Sequence, residues 1–131
     1  MIFWVNLALS DNRKGSLFGF SHAWDGLKAV FRTEANFRVH LIAALGVISA
    51  GFVFRLTVLK WIVVFFAIGL VLVAEMLNTA IEKMIDYLKP DIHPEAKAIK
   101  DLAAGAVLVS ALTAVAAGLF VFLPELFKLF K

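Results

Sequence analysis

Leu102 to Leu123 is a run of twenty-two residues without a charge. As a helix rising 1.5 Å per residue, a run of that length crosses the roughly 30 Å hydrocarbon core of a bilayer. Two further apolar segments precede it. Leu41 to Phe54 is shorter, and Arg38 and Arg55 at its ends extend it by snorkelling. Trp61 to Ile81 begins with fourteen uncharged residues, Trp61 to Ala74, and its helical pattern continues to Leu88. The sequence therefore predicts an all-α integral membrane protein with three transmembrane helices, over 39–56, 59–88 and 94–123. Arg55 to Lys60 makes a tight turn between the first two. Lys89 to Pro94 (KPDIHP) breaks the second, Pro94 suits the first position of a new helix, and Pro124 stops the third.

The composition agrees. Of 131 residues, 62% are hydrophobic and the mean hydropathy is +0.90, against roughly 45–50% apolar residues in soluble domains. One membrane domain, 1–131, accounts for the length. No cysteine is present, which excludes disulfides, thiolate nucleophiles and Cys-type zinc sites. His22, His40 and His93 lack ligand spacing. The net charge of +3 is dispersed, with no basic tract suited to nucleic acid. The first ten residues lack a basic n-region and a clear cleavage site, and read as a short interfacial anchor or a poorly ordered start. After the polar break Asp11–Gly15, residues 17–37 alternate at helical spacing. Phe20, Trp24, Leu27, Val30, Phe31 and Phe37 share one face, and Asp25, Lys28, Arg32 and Asn36 lie largely opposite. That pattern predicts an N-terminal amphipathic surface helix.

Nine Lys and Arg residues flank the N-terminus and the loop between the second and third spans, against four on the other side (Arg55, Lys60, Lys128, Lys131). The positive-inside rule then places the N-terminus and the second loop in the cytoplasm, in a multi-pass inner (cytoplasmic) membrane protein. In the third span Ala103, Ala104, Gly105, Ala106, Ser110, Ala111, Ala114, Ala117 and Gly118 form a small-residue stripe that permits close helix approach. Three spans make a thin bundle, so an oligomer is expected.

Glu75 stands where a membrane helix should carry no charge. Asn78, Glu82 and Asp86 follow at spacings that place all four within roughly 80° on one helix face. A carboxylate at that depth is expensive and marks a functional site. The stripe starts in the membrane and climbs out of it, where it meets a polar cosubstrate from water and a hydroxyl from lipid. Glu75 is the candidate general base. Glu34 and Glu82, on two helices, suit Mg²⁺ together with substrate phosphates. Lys100 suits a transferring phosphoryl group, with Asp101 beside it. Plainer readings stand beside these. Glu82 pairs with Lys83 or Arg32, Lys100 and Asp101 form an interfacial pair, Glu34 faces water, Asp86 is solvated or caps local charge, and His40 is an interfacial polar residue. No Walker, kinase Gly-rich or H-E-x-x-H motif occurs.

Glu75 to Asp86 (EMLNTAIEKMID), Ala96 to Val107 (AKAIKDLAAGAV) and Thr33 to His40 (TEANFRVH) resemble the prokaryotic diacylglycerol kinase and undecaprenol kinase family of integral membrane lipid kinases. The resemblance runs from Ser21 to Leu123. It implies a homotrimer that phosphorylates a lipid alcohol with ATP and Mg²⁺. It implies Glu75 as general base and Glu34 and Glu82 as metal ligands. Asn78, Lys100 and Asp101 join Glu34 and Glu82 around the nucleotide, while Asp86 matches an acid outside the core chemistry. The family's N-terminal basic nucleotide contact has no clean counterpart, since Gly15 lies near its place with Arg13 and Lys14 adjacent. Asn36, His40 and the segment HPEAK are similar to the undecaprenol branch, which favours undecaprenol over diacylglycerol as acceptor. Phe65, Phe66, Leu70 and Ala74 are the expected lipid-contacting surface. A reading of another class is a small structural membrane protein or transporter subunit, whose buried carboxylates would serve a proton relay. No internal repeat supports it.

Overall fold

The computed structural model describes Asn6 and residues 19–131. The start of the expected surface helix (Leu17, Phe18), the N-terminal apolar segment other than Asn6, and Arg13, Lys14 and Gly15 lie outside the described residues. Four helices follow in order: α1 Phe20–Thr33, α2 Ala35–Val53, α3 Val58–Leu88 and α4 Pro94–Leu129. Among the described residues there is no strand. The last three helices are each long and apolar enough to cross a membrane.

The amphipathic segment forms α1, entered through Gly19 at φ 69°, a left-handed conformation that glycine adopts without steric cost. Phe20, Trp24, Leu27 and Phe31 leave an exposed apolar face, while Ala29 and Val30 are buried. That distribution suits a helix at the membrane interface. The helix is shorter than expected, because it ends at Thr33 and does not run to Phe37. Glu34 takes an extended conformation (φ −108°, ψ 110°), and Ala35–Phe37 begin the first spanning helix. Arg38 explains the break. Its guanidinium donates to the carbonyls of Phe31 (2.8 Å) and Arg32 (3.1 Å). These are last-turn acceptors that α1 cannot satisfy internally. Arg38 thus caps α1 and does not simply snorkel.

The turn after α2 is a Schellman closure. Leu56 N–H donates to Gly51 O (3.1 Å) and Arg55 N–H to Phe52 O (3.2 Å), with Arg55 at φ 52°. Leu56 is thereby turned inward onto Val64 and Val121, the small apolar core at this end of the bundle. Trp61 stacks on Phe65 and tilts against Phe52.

His93 caps α4, its Nδ1 accepting from Glu95 N–H at 3.2 Å, with Pro94 in the first turn. Pro124 does not stop this helix, which continues to Leu129. Proline removes one N–H but has a φ compatible with helix. The turns around it are held by packing and charge. Val121 is buried against Leu56 and Val64, and Glu125 pairs with both Lys60 and Lys128.

Gly51 leaves no room for a side chain. A Cβ there would lie 2.6 Å from Trp61 Cη2 and 2.9 Å from Cζ2, and the indole is held between Phe52 and Phe65. Gly51→Leu should lower stability by about 1–3 kcal/mol, the usual range for overpacking. Thermal unfolding in detergent micelles measures this, and an unchanged Tm would show that the indole moves freely.

Candidate functional site

α3 buries one stripe, Val64, Val71, Glu75 and Thr79, against its neighbours. Glu75 therefore points into the bundle, and its residue is only 3% exposed. A carboxylate buried at this depth requires polar company. The company comes from the start of α2. The Asn36 side chain lies within reach of the Glu75 carboxyl, and His40, Glu34 and Glu82 are the ionisable groups whose fields reach it. Asn36 and His40 are one turn apart on α2, so both face α3 together.

Glu34 sits at the α1–α2 break, where its carboxylate accepts from Thr33 Oγ1 at 3.1 Å. Thr33 Oγ1 is also within 3.0 Å of the Ala29 carbonyl. Two turns beyond Glu75, Glu82 accepts from Asn78 Nδ2 at 3.2 Å. The amide oxygen of Asn78 is buried and has no partner. An unsatisfied acceptor of this kind is a place where a donor on a bound group is welcome. Glu75, Asn78 and Glu82 thus lie on one side of α3, as the spacing predicts, and Glu34 is near enough for its charge to reach Glu75.

Lys100 and Asp101 are divided between two partners. Lys100 pairs with Asp86, which ties the start of α4 to the end of α3, and Asp101 pairs with Lys97 on its own helix. Asp86 thus caps a local charge, as its plainer reading allows, and stays largely exposed.

Below Glu75, α2, α3 and α4 line a half-open cavity of about 310 Å³. Its walls are apolar, including Ala44, Val47, Val71, Ala114 and Gly118, and His40 stands at one end. Phe65, Phe66, Leu70 and Ala74 do not line it. The first three are exposed on the outer surface of α3 and Ala74 is half-buried. The cavity and the approach of Asn36 and His40 to Glu75 were missed from the sequence. The available signals were the i, i+4 spacing of Asn36 and His40, and the small residues recurring every three or four positions in α2 and α4.

The family described as Prokaryotic diacylglycerol kinase matches residues 21–122. The chain belongs to this family of lipid kinases. It is 45% identical over 107 residues to an undecaprenol kinase of Bacillus subtilis (strain 168), covering 82% of this chain and 87% of that one. It is 39% identical over 114 residues to a diacylglycerol kinase of Synechocystis sp., covering 86% of this chain and 65% of that one. A diacylglycerol kinase of Escherichia coli (strain K12) is 29% identical over 94 residues, covering 72% of this chain and 77% of that one.

A kinase uses ATP, and its usual companion is Mg²⁺. Among the described residues no three acidic or histidine side chains converge as a metal cage. The donors available are carboxylate oxygens of Glu34, at the extended break between α1 and α2 and not on a helix as expected, and of Glu82 on α3. That set fits Mg²⁺, which is commonly held by one or two carboxylates, with phosphates and waters completing its octahedron. Glu34→Gln and Glu82→Gln should each raise the Mg²⁺ concentration needed for half-maximal rate by about tenfold. If both act on one metal cluster, the double substitution should cost less than the sum of the two. Titrating Mg²⁺ at saturating ATP tests this, and unchanged dependence in both variants would assign the metal to other ligands.

Proposed function

We propose that this lipid kinase transfers the γ-phosphoryl group of ATP to the hydroxyl of undecaprenol, at the cytoplasmic face of the inner membrane, as a homotrimer. The observation that carries the acceptor is the 45% identity to an undecaprenol kinase over 87% of that enzyme. Asn36 and His40, the residues similar to the undecaprenol branch, are also the ones that stand against Glu75. Orientation rests on the nine-to-four distribution of basic residues. The trimer rests on family resemblance and on the many apolar side chains that one copy leaves uncovered.

In this reading the acceptor hydroxyl reaches Glu75 from the lipid. Glu75 takes its proton as the hydroxyl oxygen attacks the γ-phosphorus, and the bond from that phosphorus to the β,γ-bridging oxygen breaks to release ADP. Asn36 stands within reach of the carboxylate, so the base is oriented before the acceptor arrives. Lys100 leaves Asp86 to meet phosphate charge, and Asp101 contributes to the nucleotide site. Glu34 and Glu82 would hold Mg²⁺, which would supply charge neutralisation at the transferring phosphate. Asn78 steadies Glu82 and offers its open amide oxygen to a donor on the nucleotide.

Glu75→Gln keeps the shape of the side chain but cannot take the proton. It should lower kcat by about 10² or more, with ATP affinity and folding preserved. Near-normal turnover by folded Glu75→Gln protein would remove Glu75 from this role.

Diacylglycerol is the second reading, favoured by relatives named diacylglycerol kinase at 39% and 29% identity. Both acceptors can be compared in the same mixed micelles at matched surface concentration. Undecaprenol should show the higher kcat/KM, with some diacylglycerol turnover remaining because a lipid-facing site excludes alternatives poorly. A clear preference for diacylglycerol would overturn the acceptor and leave the kinase intact.

A further inference from the structure

The end of the bundle away from Glu75 carries a second group of charges, which the kinase chemistry does not use. Lys60 stands in the first turn of α3, and Glu125 and Lys128 stand in the last two turns of α4. The Glu125 carboxylate accepts from both ammoniums. Lys60 bonds its Oε1, and Lys128 reaches Oε1 at 3.3 Å and Oε2 at 3.1 Å. Glu125 and Lys128 lie beyond the residues matched to the family.

Two features make this cluster more than a clip between helices. The first is charge. Over residues 39–74 and 102–131, Glu125 is the only acid, against Arg38-distal cations Arg55, Lys60, Lys128 and Lys131. One carboxylate offsets one of the two lysines bonded to it, so the cluster stays net positive. Lys60 also opposes the α3 dipole, which disfavours a cation in the first turn. The second feature is donor capacity. Two ammoniums present six N–H donors, and Glu125 is the only side-chain partner of either among the described residues. Both lysines bond the same oxygen, so their ammoniums stand within roughly 6 Å, two hydrogen-bond lengths of about 3 Å. One phosphate can accept from both.

Depth identifies the source of that phosphate. Lys60 immediately precedes the uncharged run Trp61 to Ala74, and Glu125 follows the run that ends at Leu123. Both helices place the cluster where hydrocarbon gives way to headgroups, in the leaflet opposite the candidate catalytic site. Phospholipid phosphodiesters lie in that layer. Trp61 follows Lys60 directly, an amphipathic ring suited to headgroup level. Phe52 and Phe127 are exposed and offer apolar contact to acyl chains. We infer that Lys60 and Lys128 form a headgroup site for an anionic phospholipid. Glu125 holds the two ammoniums together, and their spare donors take the lipid phosphate. A phosphatidylcholine headgroup brings its own cation, which a net positive cluster repels. A phosphatidylglycerol headgroup brings none.

The test uses the full chain carrying Trp4→Phe and Trp24→Phe, which leave Trp61 as the sole tryptophan. It is reconstituted in phosphatidylcholine bilayers, and lipids brominated near the carbonyl end of their acyl chains quench the indole on contact. Brominated phosphatidylglycerol should bind at Trp61 about fivefold better than brominated phosphatidylcholine, the gain expected from one net cation. Lys128→Gln, which leaves the Lys60–Glu125 pair in place, should at least halve that preference. Lys60→Gln with Lys128→Gln should abolish it. Glu125→Gln, which removes the competing carboxylate, should raise it. Inorganic phosphate at constant ionic strength should leave it unchanged. Equal quenching by the two lipids with both lysines present would overturn the inference, as would a preference that survives the loss of both. Displacement of phosphatidylglycerol by inorganic phosphate would make this a site for free anions and overturn the lipid. The comparison of the two lipids keeps the whole cluster intact, so it decides even where a lysine variant fails to fold.

Discussion

A carboxylate held at 3% exposure inside a spanning helix is the constraint around which this bundle is arranged. At so low an exposure, the Glu75 carboxyl must find its partners in the protein. They come from the first two turns of α2, where Asn36 and His40 face α3. Those turns can reach Glu75 only because α1 ends at Thr33 and the chain turns at Glu34 into the membrane. The Arg38 bonds to Phe31 and Arg32 hold that turn closed. A continuous helix through Glu34 would carry Asn36 and His40 away along the surface. The break that looks like a local irregularity is therefore what supplies polar partners to the buried acid.

The same break separates two environments. Before it, α1 keeps Phe20, Trp24 and Phe31 on an uncovered face suited to the headgroup layer. After it, α2 is apolar on nearly all sides. Glu34 lies at the junction, where a carboxylate can meet phosphates from water. Glu82 lies two turns toward water from Glu75 on α3. In the proposed activity, phosphate chemistry and lipid chemistry would occupy adjacent layers, with Glu75 between them.

Much of this was legible in the residues themselves. The three apolar runs give the three spans, and the 3, 7 and 11 spacings from Glu75 give the shared face of Asn78, Glu82 and Asp86. His93 and Pro94 announce the start of α4. The positions that misled are those where tertiary contacts override a local signal. Pro124 reads as a stop, yet Val121 packing and the Glu125 pairs carry the helix past it. Residues 35–37 continue the amphipathic pattern of α1, but the Arg38 cap assigns them to α2. Lys100 and Asp101 are neighbours in sequence, but consecutive helical side chains diverge by about 100°, and each takes a different partner. The cavity is a property of three helices at once, and no single segment announces it.

The register between α3 and α4 joins these layers. Two cross-helix ion pairs define it, Lys100 with Asp86 at one end and Lys60 with Glu125 at the other. Their value lies less in stability, since exposed pairs contribute little, than in geometry. The Lys60–Glu125 pair is the better shielded, with its side chains 25% and 11% exposed. A slip of one residue in α3 would rotate its stripe by about 100° and move Glu75 by about 1.5 Å along the axis. Glu75 would then turn from Asn36 toward lipid, and Val71 would leave the wall of the cavity. Stretches of alanine and glycine on α4 offer little shape of their own to resist such a slip. Charge pairs at the two ends of a smooth apolar interface resist it where packing is least specific. That is how a helix pair this featureless can hold a buried base in one place.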